Sequence, residues 1–421
     1  MKSIVLDKII VKNNRVDYFF DTTKNLKKFF NANNNLFIEY NYDITDIPES
    51  ILTIPFLSNV IPLAWITNST VEINELDKSF YECLNNLKEA YQKMFPNINF
   101  QGKIIVEKII DNSYEPIHKV ASLFSGGLDA ITTFIRVKDK NPLLITEFGW
   151  HESDIEYSDV WQADKENAVE FAEKYGLENI LVQSNYGNFI NARNIDKDFS
   201  KKLGDSWWHG LHHSLAIISS AIPIAFKLKV EYIYIASSNS IGLEVPCASD
   251  PTTDNKIRFA SGKVFHDAFE LTRQDKTKVV VDYFSNIEET INIRVCFKNE
   301  ENCCNCEKCL RTILGIVAEG KNPKDFGFNI PNNLSYHVEK FLYDNIKFFT
   351  KINIMYWNTI KQRIKENHNN ISSEYRFDWF LSYNFVTERK NSLLKYRITK
   401  FFPILKRKIS TKIDKIFESG Y

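Results

Sequence analysis

The sequence predicts an α/β protein built on a doubly wound parallel sheet, and three observations carry that expectation. From residue 119 onward, short apolar runs alternate with stretches of helical spacing, the pattern of strands joined by crossover helices. A Ser-Gly-Gly-Leu-Asp turn, Ser125–Asp129, falls at the first strand-to-helix junction. Four cysteines near the end of this pattern, Cys296, Cys303, Cys306 and Cys309, have the spacing of metal ligands.

Before the alternation begins, residues 1–115 read as a small α+β domain. Ile4–Val11, Asp17–Phe20 and Leu36–Tyr42 have strand character, and 102–110 reads as a closing strand. Between them Leu76–Phe95 predicts a helix with Phe80, Cys83, Leu84, Leu87, Tyr91 and Met94 on one face. Cys83 lies on that stripe and is expected in the core. A second domain is expected over 119–315. Its strands are Val120–Phe124, Leu143–Phe148, Asn179–Gln183 and Glu231–Ala236. Its helices begin near Asp129, at Ser158 or Asp159, and at Ser206, the last running to Phe226. A helical, aromatic-rich extension over 330–421 breaks near His368–Asn370 and turns basic from Arg389.

Composition narrows the function classes. Lys plus Arg and Asp plus Glu both number 53, so the zero formal charge argues against a broad nucleic-acid surface. DNA is not expected as a partner. The first residues break their apolar positions with charges too often for a signal peptide. The longest apolar run, Leu215–Phe226, contains serines and a proline, and no bilayer-spanning run is expected. Seven cysteines, five of them within 296–309, do not resemble a secreted disulfide framework. The expected location is the cytosol.

The turn at 125–129 has the chemistry of a phosphate site. Adjacent glycines permit backbone that a Cβ would resist, and successive N–H groups there form an anion nest reinforced by the following helix. Ser125 adds a hydroxyl, and Asp129 a carboxylate that could hold Mg²⁺ or orient a reactant. The Gly-Lys-Ser/Thr ending of a P-loop and the Gly-x-Gly-x-x-Gly fingerprint are both absent. After a strand, this turn resembles the pyrophosphate loop of the N-type ATP pyrophosphatases. Four thiolates from overlapping Cys-x-x-Cys units suit a closed tetrahedral Zn²⁺ site, with a redox dithiol or an iron–sulfur cluster as rivals. Lys298, Lys308 and Arg311 are near enough in sequence to offset part of its charge, while Cys304 is out of register.

Together the loop and the cysteine pattern resemble the 7-cyano-7-deazaguanine synthase family. Members carry Ser-Gly-Gly-x-Asp-Ser early in the domain and, near its end, one Cys, a spacer, then Cys-x-x-Cys-x-x-Cys and an Arg. The corresponding residues are Ser125, Gly126, Gly127, Asp129, Cys296, Cys303, Cys306, Cys309 and Arg311. Arg273 to Lys276, ahead of an apolar helical run, is similar to the family's Asp-Lys helix start. Phe148–His151 falls where members have a Tyr-Gly-Gln-x-His loop. The resemblance implies a HUP-like fold with a pyrophosphate (PP) loop, and ATP-dependent adenylation of a carboxylate followed by attack of ammonia or an amine. It implies ATP contacts from Phe124, Ser125, Gly126, Gly127, Leu128, Asp129, Ala130, Thr132 and Arg273. Catalytic roles are expected for Ser125, Asp129, His266 and Lys276. Ala130 replaces the family's final loop serine, Thr132 is one turn along, and Cys304 replaces its usual glycine.

His209, His212 and His213 are spaced to meet on one helix face, as a second metal site or a substrate contact. No cysteine follows Met1, so the amine is expected from outside the chain. The alternatives are a tRNA-modifying enzyme of thiolation type, with RNA as partner, and a nucleotide-binding pseudoenzyme. The basic stretch Leu393–Phe417 is expected to pack on the body rather than on a membrane surface. The oligomeric state is open, a homodimer included.

Overall fold

In a computed structural model, described over residues 2–31, 35–150, 158–243, 245–296 and 299–399, the chain forms two compact units. The larger comprises 1–283 with 292–301, and the smaller 284–291 with 302–421. The larger is an α/β unit around one 11-stranded, mostly parallel sheet flanked by helices. Its strands are β1 (Ser3–Lys12), β2 (Arg15–Thr22), β3 (Leu36–Tyr40), β4 (Thr70–Asp77), β5 (Lys103–Ile110) and β6 (His118–Leu123). They continue with β7 (Leu143–Phe148), β8 (Asn179–Ser184), β9 (Val230–Ala236), β10 (Arg258–Phe259) and β11 (Gly262–Asp267). The spatial order is β10-β11-β9-β6-β7-β8-β3-β2-β1-β4-β5.

The run β11-β9-β6-β7-β8 is parallel throughout. From β6 the chain winds to β7 and β8 on one side, then returns to build β9 and β11 on the other. Open α/β sheets bind ligands where the strand order reverses, outside the carboxyl ends. Ser125–Asp129 leaves β6 at that reversal. Every residue of β7 is buried, as expected of a strand covered on both faces.

The expected boundary near residue 115 does not divide the sheet. β3 pairs antiparallel with β8 through Ile38↔Ser184, Glu39↔Gln183 and Tyr40↔Val182, so the N-terminal strands extend the same sheet. An edge strand leaves a row of backbone groups unpaired, and β3 removes that edge from β8. The tyrosine at its end donates its hydroxyl to Ser220 C=O at 2.8 Å.

Two further N-terminal elements lie outside the sequence expectations: β4 and the helix α1 (Glu49–Thr67). At 19 residues, α1 has the length and apolarity of a membrane span, which corrects the expectation that no such run exists. It shows no polar face because Ser50 through Thr67 are all buried in protein. Among its polar side chains, Thr53 bonds back to Glu49 C=O and Asn59 to Pro55 C=O, both at 2.9 Å, while Ser50 pairs with Asn112 and Asn59 Oδ1 with His212 Nε2. The helix α2 (Lys78–Met94) follows β4 directly, capped by the Asp77 carboxylate accepting from Phe80 N–H at 3.0 Å. Cys83 is in the core, and burial pushes its thiol up to about 12.

The smaller unit is helical: Glu307–Ala318, Leu334–Asn345, Lys351–Glu366 and a helical stretch over 385–399. Trp357 is its fully buried centre, ringed by Phe341, Phe349, Phe380 and Phe385. A 3₁₀ turn at His368–Asn370 marks the expected break. Residues 400–421, most of the basic stretch, lie outside the described residues.

One core group makes stability pH-dependent. Glu147 on β7 is buried, accepting from Ser220 Oγ at 2.7 Å, and burial raises its carboxyl to about 8. The native state therefore holds a proton that the unfolded chain releases near pH 4.5. The stabilisation from Glu147 is fully present below that value and is lost as pH rises through about 8. Thermal unfolding between pH 5 and 9 should show stability falling with pH. Glu147→Gln should flatten the fall, by up to ~5 kcal/mol at the alkaline end. Equal declines in both proteins would show that Glu147 does not titrate in this range.

Candidate functional site

The Ser125–Gly127 turn is held from three sides. Below it, Phe124 is buried against Phe171, donates to Ile145 C=O at 2.7 Å and accepts from Thr146 Oγ1 at 2.8 Å. On one flank, Gly126 adopts φ +67°, and a Cβ there would stand 2.5 Å from Asn167 Nδ2. On the other, Arg294 N–H donates to Gly126 C=O at 2.9 Å, and a Cβ on Gly127 would meet Arg294 C=O at 3.2 Å. Backbone shape favours glycine at 126, and at 127 only the close approach of Arg294 C=O does. Ser125 is exposed, and its Oγ accepts from Gly127 N–H at 3.4 Å. Gly127 begins the helix α3 (Leu128–Val137), whose N-terminus no side chain caps. That leaves backbone donors and the positive end of the helix dipole for an anion.

The expected cations converge on this turn. Arg273 Nη1 lies 3.1 Å from Asp129 Oδ2, and Lys276 Nζ 3.5 Å from Asp129 Oδ1. Lys276 is almost fully buried; its ammonium donates to Ser237 C=O and, at 3.4 Å, to Asn239 C=O. Burial lowers its pKa, with Asp129 opposing. Two cations on one carboxylate leave a net positive charge beside the turn.

The remaining expected ATP-contact and catalytic residues are buried. Thr132 is fully buried and bonds back to Leu128 C=O at 2.8 Å, so its hydroxyl does not replace the missing loop serine. Leu128 and Ala130 are buried beneath the turn. His266 is not an exposed acid or base: its side chain is inaccessible, with Nδ1 2.8 Å from Asp254 Oδ2. Ser214 and Ser249 bond the same Asp254 carboxylate. The neighbouring Asp267 instead accepts from Thr133 Oγ1 at 2.9 Å and Arg136 Nε at 3.1 Å, on α3.

Trp208–His212 is π-helical, and of the three histidines only His209 and His213 share a side, their rings stacked with centroids 6.0 Å apart. His209 Nδ1 pairs with Asp205 Oδ2 at 2.5 Å, His212 Nε2 with Asn59 Oδ1 at 2.7 Å, and His213 Nδ1 with Trp208 C=O at 2.9 Å. Among the described residues they form no metal cluster. His151, at the end of the third expected motif, lies outside the described residues.

Sequence spacing gives no sign of Asp164, Asn167 or Arg294, which the fold brings to the turn. Asp164 and Asn167 lie one turn apart on the helix α4 (Ser158–Lys174). Asp164 Oδ1 accepts from Arg294 Nε at 2.9 Å and Nη2 at 2.7 Å. Beside the loops after β9 and β11, a groove of about 1110 Å³ is walled by Ala90 and Met94 of α2 with Ile241, Leu243, Pro246 and Phe269.

The four cysteine sulfurs lie within 4.8 Å of one another, with Cys303 Sγ and Cys309 Sγ 3.9 Å apart. Ligands about 2.3 Å from a tetrahedral zinc stand about 3.8 Å apart, so this set could hold such an ion. Cys306 caps the helix Glu307–Ala318, its sulfur accepting from Cys309 N–H at 3.5 Å. Cys304 is buried outside the set with φ +53°, a backbone shape that favours glycine.

No family model, curated protein or solved structure matches the chain. The purified protein should carry one zinc per chain by elemental analysis, and a strong chelator should lower its melting temperature. Cys309→Ser should lose the metal, whereas Cys304→Gly should keep it and relieve ~1 kcal/mol of backbone strain. Metal loss in the Cys304 variant alone would reverse the assignment.

Proposed function

We propose that the protein is an ATP-dependent adenylating enzyme that activates a carboxylate with release of pyrophosphate. An ammonia or amine nucleophile then displaces AMP. The observation that carries this reading is the uncapped Gly-Gly turn at the strand-order reversal, with Asp129 drawing Arg273 and Lys276 beside it. The turn's N–H groups and Ser125 would take the pyrophosphate oxygens, and the net positive charge would stabilise pyrophosphate as it departs. Magnesium would enter with the triphosphate and supply further charge neutralisation, with the Asp129 carboxylate beside the turn as a candidate ligand. Asp129 orients the two cations rather than standing as an isolated ligand.

The groove beside the loop after β9 would take the acceptor, since that loop also holds Lys276 through Ser237 and Asn239. Its wall from α2 gives the N-terminal region a part in choosing the acid. The resemblance to 7-cyano-7-deazaguanine synthases makes a 7-deazaguanine carboxylate the first acid to try. Thiolation chemistry is less well supported, since Cys83, Cys247 and Cys304, the cysteines outside the cluster, are all buried.

The test is product analysis from labelled ATP and Mg²⁺ with 7-carboxy-7-deazaguanine and a panel of small carboxylates. AMP and pyrophosphate should form in step with one acid, and Asp129→Ala should cut the rate by about 10²-fold or more. A folded, metal-loaded protein that neither binds ATP nor releases AMP with any acid would refute the reading.

A further inference from the structure

We infer that Arg294 is a pyrophosphate-binding residue, held beside the Gly126–Gly127 turn by Asp164 and turned over to the anion when it binds. This rests on the adenylation reading and names a group that neither the sequence nor the resemblance assigns.

Arg294 is tied to the turn by its own backbone. Its N–H donates to Gly126 C=O, and its Cβ and Cγ lie 3.7 and 3.8 Å from where a Gly126 Cβ would be. The side chain is 4% exposed. Nε and Nη2 donate to Asp164 Oδ1, and Nη2 also reaches Asn299 C=O at 3.1 Å. Nη1 is buried and has no hydrogen-bond partner among the described residues. A guanidinium N–H buried without an acceptor is costly, and such a group in a native fold calls for an explanation.

Two neighbours make an anion the fitting one. Asn167, one helical turn beyond Asp164, brings Nδ2 against Gly126 while its Oδ1 accepts from Asn292 Nδ2 at 3.0 Å. A second side-chain donor therefore stands at the same glycine. Arg273 and Lys276 are already engaged with Asp129 on the α3 side of the turn. Arg294 differs from both in having a buried donor left over, and guanidinium geometry suits paired phosphate oxygens. Asp164 keeps the charge compensated while the site is empty. Its carboxylate then competes with the incoming anion.

The competition gives the test its direction. Magnesium pyrophosphate is titrated calorimetrically into the full-length wild type, Arg294→Met and Asp164→Asn, with melting temperatures measured alongside. Arg294→Met should weaken pyrophosphate about tenfold or more. Asp164→Asn should tighten it, because the guanidinium is released and a negative charge is removed. If wild type binds and Arg294→Met binds equally well, the inference fails while the adenylation reading stands. If both variants weaken binding alike, Arg294 only shapes the turn and the proposed contact is wrong. If wild type does not bind pyrophosphate, this inference fails, and the labelled-ATP assay decides the adenylation reading separately. The Asp164→Asn result decides the matter even if Arg294→Met does not fold.

Discussion

The hydrogen bond from Arg294 N–H to Gly126 C=O joins two segments that are far apart in the chain and shapes the ground between them. It fixes one side of the turn after β6, while Asn167 on α4 presses on the other. A side chain on Gly126 is disfavoured by its left-handed backbone and would displace the Asn167 amide, while Arg294 would stand in ordinary contact. Cys296 follows Arg294 by two residues, so one short stretch of chain carries both the support of the turn and the first ligand of the cysteine cluster. Where the turn points depends on this clamp.

Around the turn, carboxylates and cations meet. Asp129 meets Arg273 and Lys276, and the buried Arg294 meets Asp164; further along α3, the exposed Arg136 meets the buried Asp267. Buried ion pairs contribute little net stability, since desolvation offsets most of the attraction. These pairs gather at the carboxyl end of a parallel sheet, the end at which open α/β folds hold ligands. Glu147, near the carboxyl end of the adjacent β7, has a serine for company and adjusts by holding its proton.

Local features of the sequence carried the parallel strands β6 to β9, α2, the helical C-terminal region and the cysteine set. Each depends on periodicity or spacing within a short window. The Gly-Gly turn was legible because only a tight backbone needs two adjacent glycines between strand and helix. The element α1 was hidden because burial on every side erases the polar face that marks a helix in sequence. The partner of His266 was hidden for a related reason: a histidine beside an aspartate in sequence says nothing about direction. On a strand the two point to opposite faces, and His266 met Asp254 while Asp267 met α3.

By itself, the sequence determined the α/β alternation, the position of the turn and which four thiols share a site, because covalent neighbours and short spacings are enough for these. Only the tertiary structure decided that residues 1–115 extend the same sheet, since strand pairing between β3 and β8 depends on matching edges. The fold also decided which charges meet at the turn. Asp129 finds its cations, and Gly126 finds Arg294, across long stretches of chain. Such contacts exist only once the sheet has brought the carboxyl ends of its strands together.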